Sequence, residues 1–207
     1  MKKVKTVRQI TTGLLVFLAC MCCKGAEDTN VLALGDWSEP VGNEYACKLR
    51  GRLAMCAYPD HRGPANRVDV GAYVELQEYS DSFAGDVHVY CDFTKGLQCE
   101  VADAKGRPPE PVGIGYDGGV PGPQWVSLPP FASIRLRANV YAGGRLRDGS
   151  LGLWFTGAGE WTIKPTDTNT YFLSATFTVT PPPNTNNFNH TQIWSGTLRL
   201  PKMKLPR

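Results

Sequence analysis

The sequence predicts an all-β domain, a two-layer antiparallel β-sandwich of about eight to ten strands. Two observations carry this prediction. Apolar residues recur at alternate positions through most of the chain, and no segment sustains a 3.6-residue apolar period with helix caps. In addition, 22 glycines and 16 prolines among 207 residues supply turns too densely for long helices.

Residues 1–26 read as an export leader. Lys2, Lys3, Lys5 and Arg8 precede an apolar run from Ile10 to Met21, shorter than the roughly 20 residues a membrane-spanning helix needs. The run ends in Phe17-Leu18-Ala19-Cys20, which resembles the bacterial lipoprotein box with Phe17 in place of the preferred Leu. That resemblance implies cleavage before Cys20 and a lipid on it, so that the membrane is met only through acyl chains. The alternative is a secreted protein cut nearer Ala26, since Cys22 and Cys23 blur the site. The leader holds five of the 22 basic residues and none of the 19 acidic ones, leaving 17 against 19, or about −2, for residues 27–207. This body, expected as a single domain, lacks the net positive field that draws proteins to nucleic acid, and no zinc-finger, helix-turn-helix or RNP pattern is present. Nucleic acid is therefore not expected as a partner.

Within the body, Tyr45, Cys47, Leu49, Leu53 and Met55 point one way while Lys48, Arg50 and Arg52 point the other. The same alternation predicts strands through Val70–Leu76, Val87–Phe93 and Leu97–Val101. A Pro/Gly-rich stretch from Arg107 to Pro130 then reads as irregular. Alternation resumes at Ile134, Leu136, Ala138 and Val140, at Trp161 and Ile163, from Tyr171 to Val179, and at Trp194, Gly196, Leu198 and Leu200. Pro181 to Thr191 reads as a flexible excursion between the last strands.

Four cysteines lie in the body: Cys47, Cys56, Cys91 and Cys99. In an exported protein they allow two disulfides, and their spacing lacks the short pairs of zinc sites. Cys91 and Cys99 flank Thr94-Lys95-Gly96, and a hairpin turn centred on Lys95 would set them face to face. Two buried thiols are the alternative there, and Cys47 and Cys56 remain the other candidates.

Asp167-Thr168-Asn169-Thr170-Tyr171-Phe172-Leu173 resembles the Asp-x-Gly-x-Tyr-x-Cys signature at a corner of immunoglobulin domains, with Asn for Gly and Leu for Cys. The resemblance implies an immunoglobulin-like sandwich in which the Tyr171 hydroxyl turns back onto backbone and no inter-sheet disulfide ends at Leu173. Taken from Trp37 to Leu205, the chain is similar to exported bacterial sandwich domains without assigned activity.

Catalytic patterns fail on inspection. Gly113-Ile114-Gly115-Tyr116-Asp117-Gly118 matches G-x-G-x-x-G, but Pro108, Pro109 and Pro111 precede it and Val120-Pro121-Gly122-Pro123 follows, so no helix starts there to hold a pyrophosphate. His61, His88 and His190 show no metal-ligand spacing, no G-x-S-x-G elbow exists, and the scattered aspartates suit turns. Neither metal nor cofactor is expected. Two binding features remain. Trp37 and Trp125 read as loop-borne rings that would stack on a sugar. Arg50, Arg52, Arg135 and Arg137 fall on polar strand faces, together with Lys48, Arg145, Arg147 and Arg199, and would form a basic face if their strands are neighbours; pairing with Glu75, Glu78 and Glu100 is the plainer alternative. The expectation is a non-catalytic interaction domain of the cell envelope, or of the secreted space, meeting an envelope protein or polysaccharide. The alternatives are a carbohydrate-binding module, which needs Trp37 and Trp125 on one surface, and an exported protease inhibitor, which needs a protruding loop between Arg107 and Pro130.

Overall fold

In the computed structural model, alternation in the sequence becomes alternation in burial. The structure describes residues 31–42, 47–59, 68–80, 85–109, 122–138, 143–144, 149–155, 159–183 and 192–206. The leader, including Cys20, lies outside them, as do Tyr45, His61, the 113–118 glycine loop, Val140, Arg145, Arg147 and His190. Val31–Arg207 cluster as one compact unit.

The strands are β1 (Val31–Leu34), β2 (Leu49–Pro59), β3 (Val68–Glu78), β4 (Val87–Cys91), β5 (Leu97–Asp103), β6 (Gln124–Leu128), β7 (Ser133–Arg137), β8 (Gly143–Gly144), β9 (Leu151–Phe155), β10 (Gly159–Ile163), β11 (Tyr171–Val179), β12 (Ile193–Trp194) and β13 (Gly196–Lys204). One helical turn, α1 (Phe93–Gly96), separates β4 from β5. Its amino end is capped by Asp92, whose Oδ1 accepts from the Thr94 amide at 3.1 Å and the Thr94 hydroxyl at 2.6 Å. The protein is all-β. Its antiparallel sheets run β1-β2-β3-β7 with β8 beside β3, then β10-β9 and β13-β11-β5; the last, β12-β4-β6, pairs β12 parallel to β4.

Four strands escape the sequence reading. β1, β8 and β9 are short or glycine-bearing, and β6 sits inside the stretch that proline content marks as irregular. Gln124-Trp125-Val126-Ser127-Leu128 nevertheless buries Val126 and Leu128 against β4, so Trp125 stands on a strand and not on a loop.

The expected hairpin between Cys91 and Cys99 does not form. α1 redirects the chain, so β4 pairs with β6 while β5 pairs with β11. Cys91 faces Gln124 and Cys99 faces Ala175. All four body cysteines are thiols, and Cys47 and Cys56 lie nine positions apart along nearly extended chain, about 30 Å, so they cannot bridge one another. Burial pushes the Cys91 and Cys99 thiols up to about 12. At pH 8 neither should react with a thiol reagent in the folded protein, and both should react in denaturant. Colour release from only two of the four body thiols in denaturant would restore a disulfide.

β2 and β13 meet through a glycine. Gly51 lies between Leu49 and Leu53 on the inward face of β2, and a Cβ there would stand 2.7 Å from Leu200 Cδ2 and 3.2 Å from Leu198 Cδ1. Pro201 lies within β13, an edge strand, where its missing N–H costs no central ladder bond. The register shifts beside it: Leu173 faces Met203 while Ala175 faces Leu200. This shift moves burial from Leu198 and Leu200 onto Met203 and Leu205, keeping the strand's apolar side inward across the proline.

At the corner before β11 the Tyr171 hydroxyl donates to Asp167 Oδ2 at 2.7 Å, not to backbone, and the Asn169 amide donates to Oδ1 at 2.9 Å. Leu173 is fully buried. Another carboxylate organises the end of β5. Asp103 accepts from the Lys105 and Arg107 amides at 2.8 and 2.9 Å and pairs with the Arg107 guanidinium at 2.7 Å. These bonds, the Arg107 amide foremost, hold its carboxyl below the ordinary 3.8 against the opposing effect of burial. A depressed carboxylate stabilises the fold above its unfolded pKa and loses that contribution as pH falls through its folded one. The stability gap between the wild type and Asp103→Asn should therefore be full at pH 7, shrink below about pH 4 and close under stronger acid. A gap that stays constant with pH would remove the carboxylate's role.

Candidate functional site

Strand register decides where the arginines go. β3 runs between β2 and β7, so residues opposite each other form rows across three strands: Arg50, Gln77 and Ser133; Arg52, Glu75 and Arg135; Ala54, Tyr73 and Arg137. Residues 73, 75 and 77 share the face opposite the buried Val74 and Leu76, which gathers all four arginines on one side of the sheet.

The middle row is a charge-assisted network. Arg52 donates Nη2 to Glu75 Oε1 at 3.1 Å and Nε to Oε2 at 3.3 Å, a two-pronged contact. From the other side Arg135 donates Nη2 and Nε to Oε2 at 3.0 and 3.2 Å, and its Nη1 reaches the Cys56 sulfur at 3.5 Å. The Glu75 side chain is 8% exposed, against 19% for Arg52 and 23% for Arg135. One carboxylate thus serves two guanidiniums.

In the first row the partners are neutral. Arg50 donates Nε to Gln77 Oε1 at 2.7 Å, and its guanidinium carbon lies 4.8 Å from the Trp37 ring centre and 4.2 Å from that of Tyr79. Arg52 shares the Trp37 ring at 4.3 Å. Each such contact contributes about 0.5–1 kcal/mol at a partly exposed site, and the rings hold the cations in place without cancelling their charge. Trp37 is positioned by the chain before β2: the Ser38 amide donates to the Gly51 carbonyl at 2.8 Å, and the Ser38 hydroxyl accepts from the Gly51 amide at 3.0 Å.

The end of the face carries a device absent from the sequence reading. Glu78 is 2% exposed, and its carboxylate accepts from the Ser80 amide at 2.8 Å and the Phe131 amide at 2.7 Å. This pins the β6–β7 turn, where Phe131 has a φ of 62° and is 58% exposed. A positive φ is uncommon for an aromatic residue and persists only where surrounding bonds enforce it. The Phe131 carbonyl accepts from Gln77 Nε2 at 3.4 Å, joining the turn to the Arg50 row. Extending the odd-numbered face of β3 by one step reaches Tyr79, so period two alone would have found it. Nothing local in Pro129-Pro130-Phe131 signals the turn, because Glu78 enforces it from 53 positions away.

The remaining predicted residues lie elsewhere. Arg199, on β13, faces Thr176 in another sheet. Trp125 is not brought to Trp37: it packs on Tyr90 with ring centres 5.2 Å apart, in the β12-β4-β6 sheet. Beside Tyr90 opens a cleft of about 420 Å³ lined by Asp92, Lys95, Thr178, Thr180 and Pro181 among others. Among the described residues, no group of three His, Cys, Asp or Glu side chains is arranged to hold a metal, and no helix is long and apolar enough to cross a membrane. No family model, curated protein or solved structure matches this chain.

Proposed function

We propose that this chain is a non-catalytic interaction domain, exported and held at the cell envelope by a lipid on Cys20, that binds an anionic envelope polysaccharide through its arginine face. The carrying observation is the three-strand register, which sets Arg50, Arg52, Arg135 and Arg137 on one face with Glu75 as the shared carboxylate of the middle row. The guanidiniums of Arg50, Arg52 and Arg135 are held by Trp37, Tyr79 and Glu75, so a sulfated or uronic polymer meets pre-ordered groups at a small entropic cost. Because the body as a whole is near neutrality, attraction comes from this local field and falls steeply with salt. The facing of β2 and β13 and the Tyr171–Asp167 corner support an immunoglobulin-like two-layer sandwich as the scaffold, whose role is to keep the face rigid.

The test is titration of the purified protein with dextran sulfate and with neutral dextran at 50 and 200 mM salt. Binding to the sulfated polymer alone, weakened at the higher salt, is expected. Arg50→Ala should reduce it about five- to tenfold at a stability cost of only about 1–2 kcal/mol from the lost ring contacts, because Arg50 has no buried carboxylate to strand. Equal affinity for both polymers would overturn the reading, and binding to neither would turn the search to an envelope protein.

A second reading, the carbohydrate-binding module, is favoured by the Trp125–Tyr90 pair beside the Asp92 cleft, though not by the pairing of Trp37 with Trp125 that it first required. Neutral dextran that quenches tryptophan fluorescence, with the quench abolished in Trp125→Ala, would favour it. The protease-inhibitor reading loses support. Gln124–Leu128 within its loop is strand β6, and 110–121 lie outside the described residues.

A further inference from the structure

Two of the large hydrophobic side chains that stand exposed among the described residues, Tyr79 and Phe131, belong to one end of the arginine face. Strand pairing puts Tyr79 there. Its amide donates to the Lys48 carbonyl at 2.9 Å, which continues the β2–β3 ladder past the pairing of Arg50 with Gln77. Phe131 is put there by its backbone: its amide donates to Glu78 Oε2, its carbonyl accepts from Gln77 Nε2, and the Glu78 amide donates to the next carbonyl, that of Ala132, at 3.0 Å. The Phe131 backbone therefore adjoins Gln77, whose Oε1 holds Arg50. A φ of 62° costs an aromatic residue free energy, and a buried carboxylate is committed to enforcing it. Strain maintained around a ring that is mostly exposed points to a contact outside the chain, since the fold gains little from that ring's burial. Arg50 supplies the charge. Among the described residues its guanidinium meets Gln77, Trp37 and Tyr79, all uncharged, whereas Arg52 and Arg135 share the Glu75 carboxylate.

We propose that this end of the face is a subsite for one uronate unit, with the carboxylate at the Arg50 guanidinium and a C–H face of the sugar ring against the exposed rings of Tyr79 and Phe131. The subsite rests on the polysaccharide reading and narrows it to polyuronates. A carboxylate matches the paired N–H donors of a guanidinium. A uronic acid bears its charge on one exocyclic group, so the sugar ring keeps apolar C–H groups for an aromatic contact. A densely sulfated sugar carries charge on several sides and gives up much of that contact. A polyphosphate has the charge and no apolar face at all.

The experiment titrates the purified protein with polygalacturonate, dextran sulfate and polyphosphate at 50 and 200 mM salt. In the wild type the higher salt should weaken polyphosphate more steeply than polygalacturonate, because a ring contact is not screened. Phe131→Asn removes the ring and keeps a residue that tolerates a positive φ, so the turn is retained. It should weaken polygalacturonate about three- to tenfold at both salt concentrations and leave polyphosphate within about twofold. Phe131→Tyr, which keeps a ring, should bind as the wild type does. Equal losses on polygalacturonate and polyphosphate, or no loss on either, would overturn the subsite. A wild type whose affinities for the two fall equally with salt would overturn it without recourse to any variant. Dextran sulfate bound and polygalacturonate ignored would overturn the subsite and leave the broader polysaccharide reading standing, whereas no binding of either glycan would overturn both.

Discussion

Glu75→Ala should lower the unfolding free energy by about 3 kcal/mol, the scale of breaking a largely buried ion pair from one side. Exposed pairs contribute only about 0–1 kcal/mol, but the Glu75 carboxylate is 8% exposed and takes four hydrogen bonds from two guanidiniums. Removing it leaves Arg52 and Arg135 partly desolvated on strands about 10 Å apart, with no shared anion between them. Urea denaturation measures the loss, and a cycle with Arg135→Ala should return a coupling of more than 1 kcal/mol. A loss below 1 kcal/mol would place Glu75 with ordinary surface pairs. Glu75→Gln adds a consequence that stability alone does not show. Where that variant stays folded, the face loses its carboxylate charge, so dextran sulfate should bind more tightly to a less stable protein. A drop in both quantities would mean that Glu75 orders the arginines for the ligand as well as for the fold.

The second large effect is expected at Gly96. It ends α1, and a Cβ there would collide with the Thr178 carbonyl oxygen on β11. The obstacle is backbone, so no change of rotamer relieves it. Either the turn or the strand must move, and both are held by the Phe93–Phe177 ring pair at 5.0 Å and by the pairing of Leu97 with Phe177. Gly96→Val should cost about 3 kcal/mol or more, and Gly96→Ala nearly as much. Gly51→Ala provides the contrast. Its added methyl would press on the ends of Leu198 and Leu200, flexible groups that can turn, so about 1–2 kcal/mol is expected. Denaturation midpoints that rank Gly51→Ala below Gly96→Ala would show that the β2–β13 packing is the stiffer of the two contacts.

Alternation of apolar residues determined most of the strands, because a side-chain period of two is a local property that burial on one face imposes directly. Residues such as Leu49, Val74, Val89, Leu173 and Leu198 are buried where parity puts them. Parity also assigned Arg50, Arg52, Arg135 and Arg137 to polar faces. It did not decide that these faces are the same face. That required β3 to lie between β2 and β7, a pairing between segments some 60 positions apart that no local pattern encodes. The hairpin at Lys95 failed for the same reason. The four residues of α1 suit a tight turn as well as a helical one, and only packing against β11 sends β5 to another sheet. Trp125 went unread as a strand residue because prolines on both sides of β6 mask its short alternation. Trp37 and Phe131 lie outside the strands, and they are placed by contacts from other elements: the Gly51 backbone beneath the chain at Ser38 and the buried Glu78 carboxylate beneath the turn. The sequence by itself determined the side on which most strand residues would lie, Glu78 excepted: expected on a polar face, it is buried on the side of Val74 and Leu76 and bonds backbone amides. Only the tertiary structure decided which outward side chains meet, because strand order and turn anchoring come from long-range packing, whose free energy belongs to the whole chain and not to any window of it.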